Sequence, residues 1–210
     1  MKLIVGRHGE TLYNQENVFR GTLEVPLNRR GEKQAALLSR ALKDEQVAAI
    51  YASPQLRALN TAQIVARPHN LTPVAEPRLA DLDFGEWQGK PIKEVEAQYP
   101  ELYRQWQENP YQLQIPQGGN VRRVEENLKS LLVQLEAEFP EQTVILVTHR
   151  LVVKVLLVMV LQLPPQGYWQ LKPEVASITR LEKHPKYFVL TSFNEQWHLR
   201  DESGGPAEMG

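Results

Sequence analysis

The stretch Lys2-Leu3-Ile4-Val5-Gly6-Arg7-His8-Gly9-Glu10-Thr11 runs from a short apolar segment straight into an arginine, a histidine and a glycine. Lys2 to Val5 reads as a buried strand, and Gly9 allows the backbone to turn tightly beyond its carboxyl end. Arg7 and His8 are then presented at the strand tip. In open α/β sheets, ligands bind in the crevice beyond the carboxyl ends of the strands. An arginine beside a histidine at that edge offers a fork for phosphate oxygens together with a nucleophile or acid. Taken alone, the word fits a buried, hydrogen-bonded histidine equally well, so the rest of the chain has to decide.

Two further segments repeat the arrangement. Thr143 to Thr148 is an uninterrupted apolar and β-branched run of the kind found in buried parallel strands, and it ends at His149. Ala48 to Ala52 is a shorter one, followed by Ser53-Pro54, which has the side-chain cap and first-turn proline of a helix start. That helix runs to about Ala66 and carries Arg57 on its first turn, where the guanidinium and the helix's positive end address the same anion. Elsewhere, Asn28 caps a helix to about Leu42. Val121, Val124, Leu128, Leu131, Leu132, Leu135 and Phe139 recur at helical spacing. Arg150 to Leu163 reads as a helix, with its valines leaving a strand continuation open until Pro164-Pro165. Ala176 to Glu182 and Tyr187 to Phe193 flank a turn and predict a hairpin. Strands alternating with helices imply an α/β fold with a mainly parallel sheet covered on both faces. Arg7, His8, Arg57 and His149 should therefore converge on one crevice, a composition suited to a phosphate.

From Pro68 to Gln117, prolines break the periodicity repeatedly, and the loop from Leu79 to Gly89 sets Asp81, Asp83 and Glu86 near glycines. The 210 residues suit one domain over 1–202, with a small cap at 89–118 and a Gly-, Pro- and Ser-rich flexible tail at 203–210. The absence of cysteine removes disulfides, thiolate metal sites and a cysteine nucleophile, and fits a reducing, cytoplasmic setting. A net charge of −1 argues against general attraction to nucleic acid or an anionic membrane. The opening apolar run is too short for a signal peptide. Val144 to Leu163, the most apolar segment, is interrupted by His149, Arg150 and Lys154, and reads as a buried strand and helix, not a membrane span. His8 and His149 lack metal-ligand spacing. His69, His184 and His198 fall near turns or the tail, where exposure is expected. Tyr99, Tyr103, Trp106 and Tyr111 either line a specificity pocket or pack a subdomain.

In their order and spacing, Arg7-His8-Gly9-Glu10-Thr11, Ser53-Pro54-Gln55-Leu56-Arg57-Ala58, Gly85-Glu86-Trp87-Gln88-Gly89 and Val147-Thr148-His149 resemble the histidine phosphatase superfamily, also called the phosphoglycerate mutase-like family. The resemblance implies a three-layer α/β/α sandwich and a phosphohistidine mechanism with no metal and no cofactor. It implies that His8 is the nucleophile, that Arg7, Arg57 and His149 hold the phosphoryl oxygens, and that Asn14, Arg20 and Gly21 line the substrate site. Asp81, standing where most relatives carry glutamate, is the first choice for proton donor, and Glu86 is the reserve. Arg150 replaces a common glycine after His149 and either reads a second anionic group on the substrate or points to solvent.

The function expected is a phosphatase acting on a small phosphorylated metabolite. A phosphoglycerate mutase is the alternative, and a non-catalytic phospho-ligand binding module a third. The glycine-flanked Glu86-Trp87-Gln88 word resembles the phosphatase branch, and the segment from Gly89 to Gly118 is short for a mutase's enclosing insertion. The substrate stays open, as does the oligomeric state, a homodimer included.

Overall fold

The computed structural model describes residues 1–14 and 18–202, so the tail expected over 203–210 lies outside them. Strands β1 (Lys2–Arg7), β2 (Val47–Ala52), β3 (Val74–Ala75), β4 (Thr143–Thr148), β5 (Ile178–Lys183) and β6 (Phe188–Glu195) form one six-stranded sheet in the order β3-β2-β4-β1-β5-β6. The first four of these neighbours are parallel, whereas β5 runs antiparallel to β1 and pairs with β6 as the expected hairpin. The α-helices of the described residues are α1 (Arg29–Leu42), α2 (Leu56–Ala66), α3 (Ile92–Gln98), α4 (Pro100–Glu108), α5 (Val121–Glu138), α6 (Arg150–Val160) and α7 (Gly167–Gln170).

Successive side chains of the central strands enter opposite cores. Leu3, Val5, Val144 and Leu146 pack with the apolar stripe of α5 and with α6. Ile4, Ile145 and Val147 pack with Leu38 and Leu42 of α1 and with Ala58, Ala62 and Val65 of α2. A strand alternation of period two, apolar on both sides, requires helices on both faces, and that is the three-layer α/β/α arrangement observed. Among the described residues, no helix is long and apolar enough to cross a membrane. The ambiguous segment after His149 is α6. Eight consecutive residues from Leu151 to Val158 are buried in it, so tertiary packing overrides the strand preference of the valines.

Register brings the strand ends level. Arg7 lies opposite Thr148 in the β1–β4 ladder, and Ala52 lies opposite Val147 in the β2–β4 ladder. His8, Ser53 and His149 therefore leave the sheet side by side. The loop after β1 is then clamped by α1: Asn28 caps that helix by accepting from Gly31 N at 2.8 Å, its own N–H donates to Glu10 O at 3.0 Å, and Gln34 Oε1 accepts from Glu10 N at 2.9 Å. Gly9 does not adopt the left-handed φ that a tight turn would use. Its constraint is close approach, since a Cβ on Gly9 would lie 2.4 Å from Gly31 O, and one on Gly31 would lie 2.0 Å from Glu10 O. A Gly31→Ala variant is accordingly expected to lose about 1–3 kcal/mol of stability through overpacking. In urea this should read as a lower midpoint at unchanged slope; an unchanged midpoint would show that the two backbones can part freely.

Two expectations need correction. Ser53-Pro54 is not the cap and first turn of α2, because the cap position is Gln55 and it makes no side-chain capping bond. His198 is buried, not exposed, with Nε2 donating to Ala176 O at 2.9 Å. The chain after β6 returns as a 3-10 turn (Trp197–Glu202) that packs against α1.

Candidate active site

The carboxyl ends of β1, β2 and β4 open into a pocket of about 350 Å³ lined on the sheet side by Arg7, His8, Arg20, Gly21, Arg57 and Asp81. His8 is 2% exposed, and its Nδ1 stands 2.7 Å from its neighbour's carbonyl, Gly9 O. A carbonyl can only accept, so Nδ1 carries the proton and Nε2 keeps a lone pair. Burial first, then the charges of Arg57 and Arg7, hold the imidazole well below its ordinary pKa, and the ring is neutral near pH 7.

Directed hydrogen bonds fix the neighbours. Arg57 Nε donates to His149 Nδ1 at 3.2 Å, so the other ring nitrogen of His149 carries its proton and donates to Ser53 Oγ at 2.7 Å. The Ser53 hydroxyl passes the direction on to Gln55 Oε1 at 3.1 Å, and Gln55 Nε2 donates to Gly21 O at 2.8 Å. Arg57 closes the circuit: Nη2 reaches the same Gly21 carbonyl at 2.7 Å, and Nη1 reaches Leu23 O at 2.8 Å. Gly21 can turn that carbonyl inward because its φ is +51°, and a Cβ there would lie 2.5 Å from Leu82 O. Ser53 is thus the fixed point of a side-chain chain, and this is what occupies it in place of helix capping.

Asp81 is 14% exposed and stands 3.4 Å from Arg57 Nη2. Thr148 Oγ1 donates to Leu79 O at 2.7 Å and Gln55 Oε1 accepts from Asp81 N at 2.8 Å, which ties the acidic loop to the sheet. Burial raises the carboxyl pKa against the opposing pull of Arg57, Arg20 and Arg7. Arg7 donates from Nη1 to Pro173 O at 2.8 Å, while its Nε is buried with no hydrogen-bond partner. Burial, with Arg150 and Arg20 nearby, pushes Arg7 down to about 9. An anion between these guanidiniums would raise Arg7 again and push the Asp81 carboxyl further up.

The expected residues do not all arrive. His149 is fully buried behind the pocket wall, its ring centroid 5.2 Å from that of His8, with both nitrogens engaged inside the protein. Glu86 is exposed and accepts from Tyr99 Oη at 2.8 Å, away from the pocket. The Asn14 carboxamide turns back to Thr11, accepting from its N and Oγ1 at 2.9 Å each. Arg150 does line the pocket, as do Tyr103 and Trp106, but Tyr99 and Tyr111 do not. Sequence reasoning missed Phe19, Phe84, Lys154, Tyr168 and Trp169, which complete the wall. Trp106 of α4 meets Trp169 edge-on at 5.6 Å and Phe84 at 5.6 Å, so α4 is held by rings from two segments distant in sequence. Only Lys154 gave a signal, as a charge inside the most apolar stretch of the chain.

A family model described as the histidine phosphatase superfamily (branch 1) matches residues 3–196. The chain is 31% identical over 199 residues to phosphoserine phosphatase 1 of Hydrogenobacter thermophilus, covering 95% of this chain and 94% of that one. It is 28% identical over 186 residues to a probable phosphoglycerate mutase, GpmB, of Yersinia enterocolitica, covering 87% and 85%. Its structure superimposes with a TM-score of 0.84 on a mycobacterial glucosyl-3-phosphoglycerate phosphatase complexed with VO3, at 28% identity and covering 93% and 99% of the two chains. The sheet-end crevice, its cationic lining and a match along nearly the whole length lead to one assignment: this chain belongs to the histidine phosphatase superfamily, as a phosphoric monoester hydrolase.

Proposed function

We propose that the chain hydrolyses the phosphate monoester of a small metabolite, without metal, through a phosphohistidine formed on Nε2 of His8. The observation that carries this is the Nδ1–Gly9 carbonyl bond, which leaves a neutral ring with its free lone pair in a pocket walled by Arg7 and Arg57. Phosphoryl transfer is mainly positioning and charge stabilisation, and the Arg7 and Arg57 guanidiniums supply the positive charge. Arg20 adds a third positive charge, and Gly21 orients Arg57 through its carbonyl. The wall of arginine and neutral histidine favours an anion over a metal cation. His149 acts from behind, by holding the Arg57 fork in place.

In the first half-reaction the His8 lone pair bonds to phosphorus while the P–O bond to the alcohol breaks, and the leaving oxygen takes the proton of Asp81. In the second, the resulting carboxylate accepts a proton from water as its oxygen attacks the phosphohistidine, releasing inorganic phosphate and restoring both groups. The raised carboxyl pKa suits the acid of the first step.

Phosphate release in excess chelator tests the reading, run on an alkyl phosphate and an activated aryl phosphate, with phosphoserine among the first esters because of the relative named above. Native turnover of both should persist in chelator. Asp81→Asn should slow the alkyl ester by about 10²-fold and the aryl ester far less, because a good leaving group needs no proton. Equal losses would make Asp81 structural, and chelator-sensitive turnover would overturn the metal-free mechanism.

A further inference from the structure

The pocket holds more positive charge than one phosphoryl group uses. Arg7 and Arg57 flank His8, and Lys172 is neutralised by Glu174 at 2.8 Å. Arg20 adds its charge to the same phosphate site, and two further cations stand on one face of α6, a helical turn apart: Arg150 and Lys154. Lys154 is only 4% exposed, and its Nζ sits 4.3 Å from the ring centroid of Tyr168 and 4.9 Å from that of Trp169. Among the described residues it has no hydrogen-bond acceptor and no ion-pair partner, and its side chain opens on the pocket, so a largely desolvated ammonium there is costly against an apolar side chain of equal length. The two aromatic faces offset part of that cost and hold the ammonium in one place. Burial, then Arg150 and Arg7, push it down to about 8, so it stays charged near neutral pH.

We infer that Lys154, boxed by Tyr168 and Trp169 and backed by Arg150, is a second anion subsite, so that the preferred ester carries a carboxylate or second phosphate in its leaving group. The inference deepens the phosphatase reading and rests on its phosphate site. A bound anion would supply the missing acceptor, with the two rings fixing the ammonium that meets it. Trp106, in edge contact with both rings, ties the subsite to the cap, which gives α4 a part in choosing the leaving group.

The test separates this inference from the hydrolytic reading by using ligands that cannot be hydrolysed. Titration calorimetry on the native chain compares propylphosphonate, 3-phosphonopropanoate and propane-1,3-diylbisphosphonate. At least one of the two doubly anionic ligands is expected to bind about tenfold more tightly than propylphosphonate, the size of one charge-assisted contact, and the one preferred identifies the group. Equal affinities for all three would overturn the subsite while leaving phosphatase activity untouched. Tighter binding of a dianionic ligand to a chain that releases no phosphate from any ester would do the reverse. Lys154→Met, which suits the aromatic box in size, should erase the preference, and Lys154→Arg should keep most of it. A preference surviving in Lys154→Met would also sink the assignment.

Discussion

In a His8→Ala chain, turnover of any phosphate ester is expected to fall by at least about 10⁴-fold, the scale on which removal of a covalent nucleophile acts. The geometry explains the size. His8 is the pocket residue whose ring nitrogen is left with an unshared pair, because the Gly9 carbonyl holds the other nitrogen's proton. Water has no comparable substitute at that position. Rapid mixing with an activated aryl phosphate, followed by intact-mass measurement, should show an acid-labile phosphate on the native chain and none on the variant. A variant that kept the labile adduct, or stayed within tenfold of native turnover, would move the nucleophile elsewhere. Unchanged thermal unfolding in the variant would confine the loss to chemistry.

Arg57 should show the second largest effect. Its Nε, Nη1 and Nη2 serve His149, Leu23 O and Gly21 O at once, so it fixes the pocket rim as well as supplying charge. Lysine has no planar fork and reaches at most one of these positions, so Arg57→Lys is expected to lose roughly 10²-fold to 10³-fold in kcat/KM. Arg57→Gln should lose at least as much, and the two differ in pH dependence. Among the charges that depress His8 and His149, Arg57 is the largest. Without its charge both histidines rise towards their ordinary pKa. His8 is then protonated, and loses its lone pair, at a higher pH than in the native chain. The acid limb of the kcat/KM profile should therefore move to higher pH in Arg57→Gln and stay in place in Arg57→Lys. A limb that moved equally in both variants would mean that the effect is not electrostatic.

The sequence by itself determined the layered architecture. Apolar alternation in Leu3-Ile4-Val5 and Val144-Ile145-Leu146-Val147 is a local property that needs two covering faces, and the stripe of α5 supplies one of them. It also placed Arg7, His8 and Arg57 at one crevice, since each sits at or just beyond a strand end and parallel strands align those ends. Three things depended on tertiary structure. Ser53 reads locally as a helix cap, and only contact with His149 across β2 and β4 turns it into part of a hydrogen-bond circuit. Glu86 and Asp81 are alike as loop carboxylates, yet the bonds of the acidic loop to Thr148 and Gln55 bring one to Arg57 and leave the other beside Tyr99. Lys154 gains its meaning from Tyr168 and Trp169, rings on a different helix that no periodicity within α6 foretells. Strand and helix patterns are set by neighbours a few residues away, whereas the selectivity of a pocket is set by side chains that meet only after the chain has closed on itself.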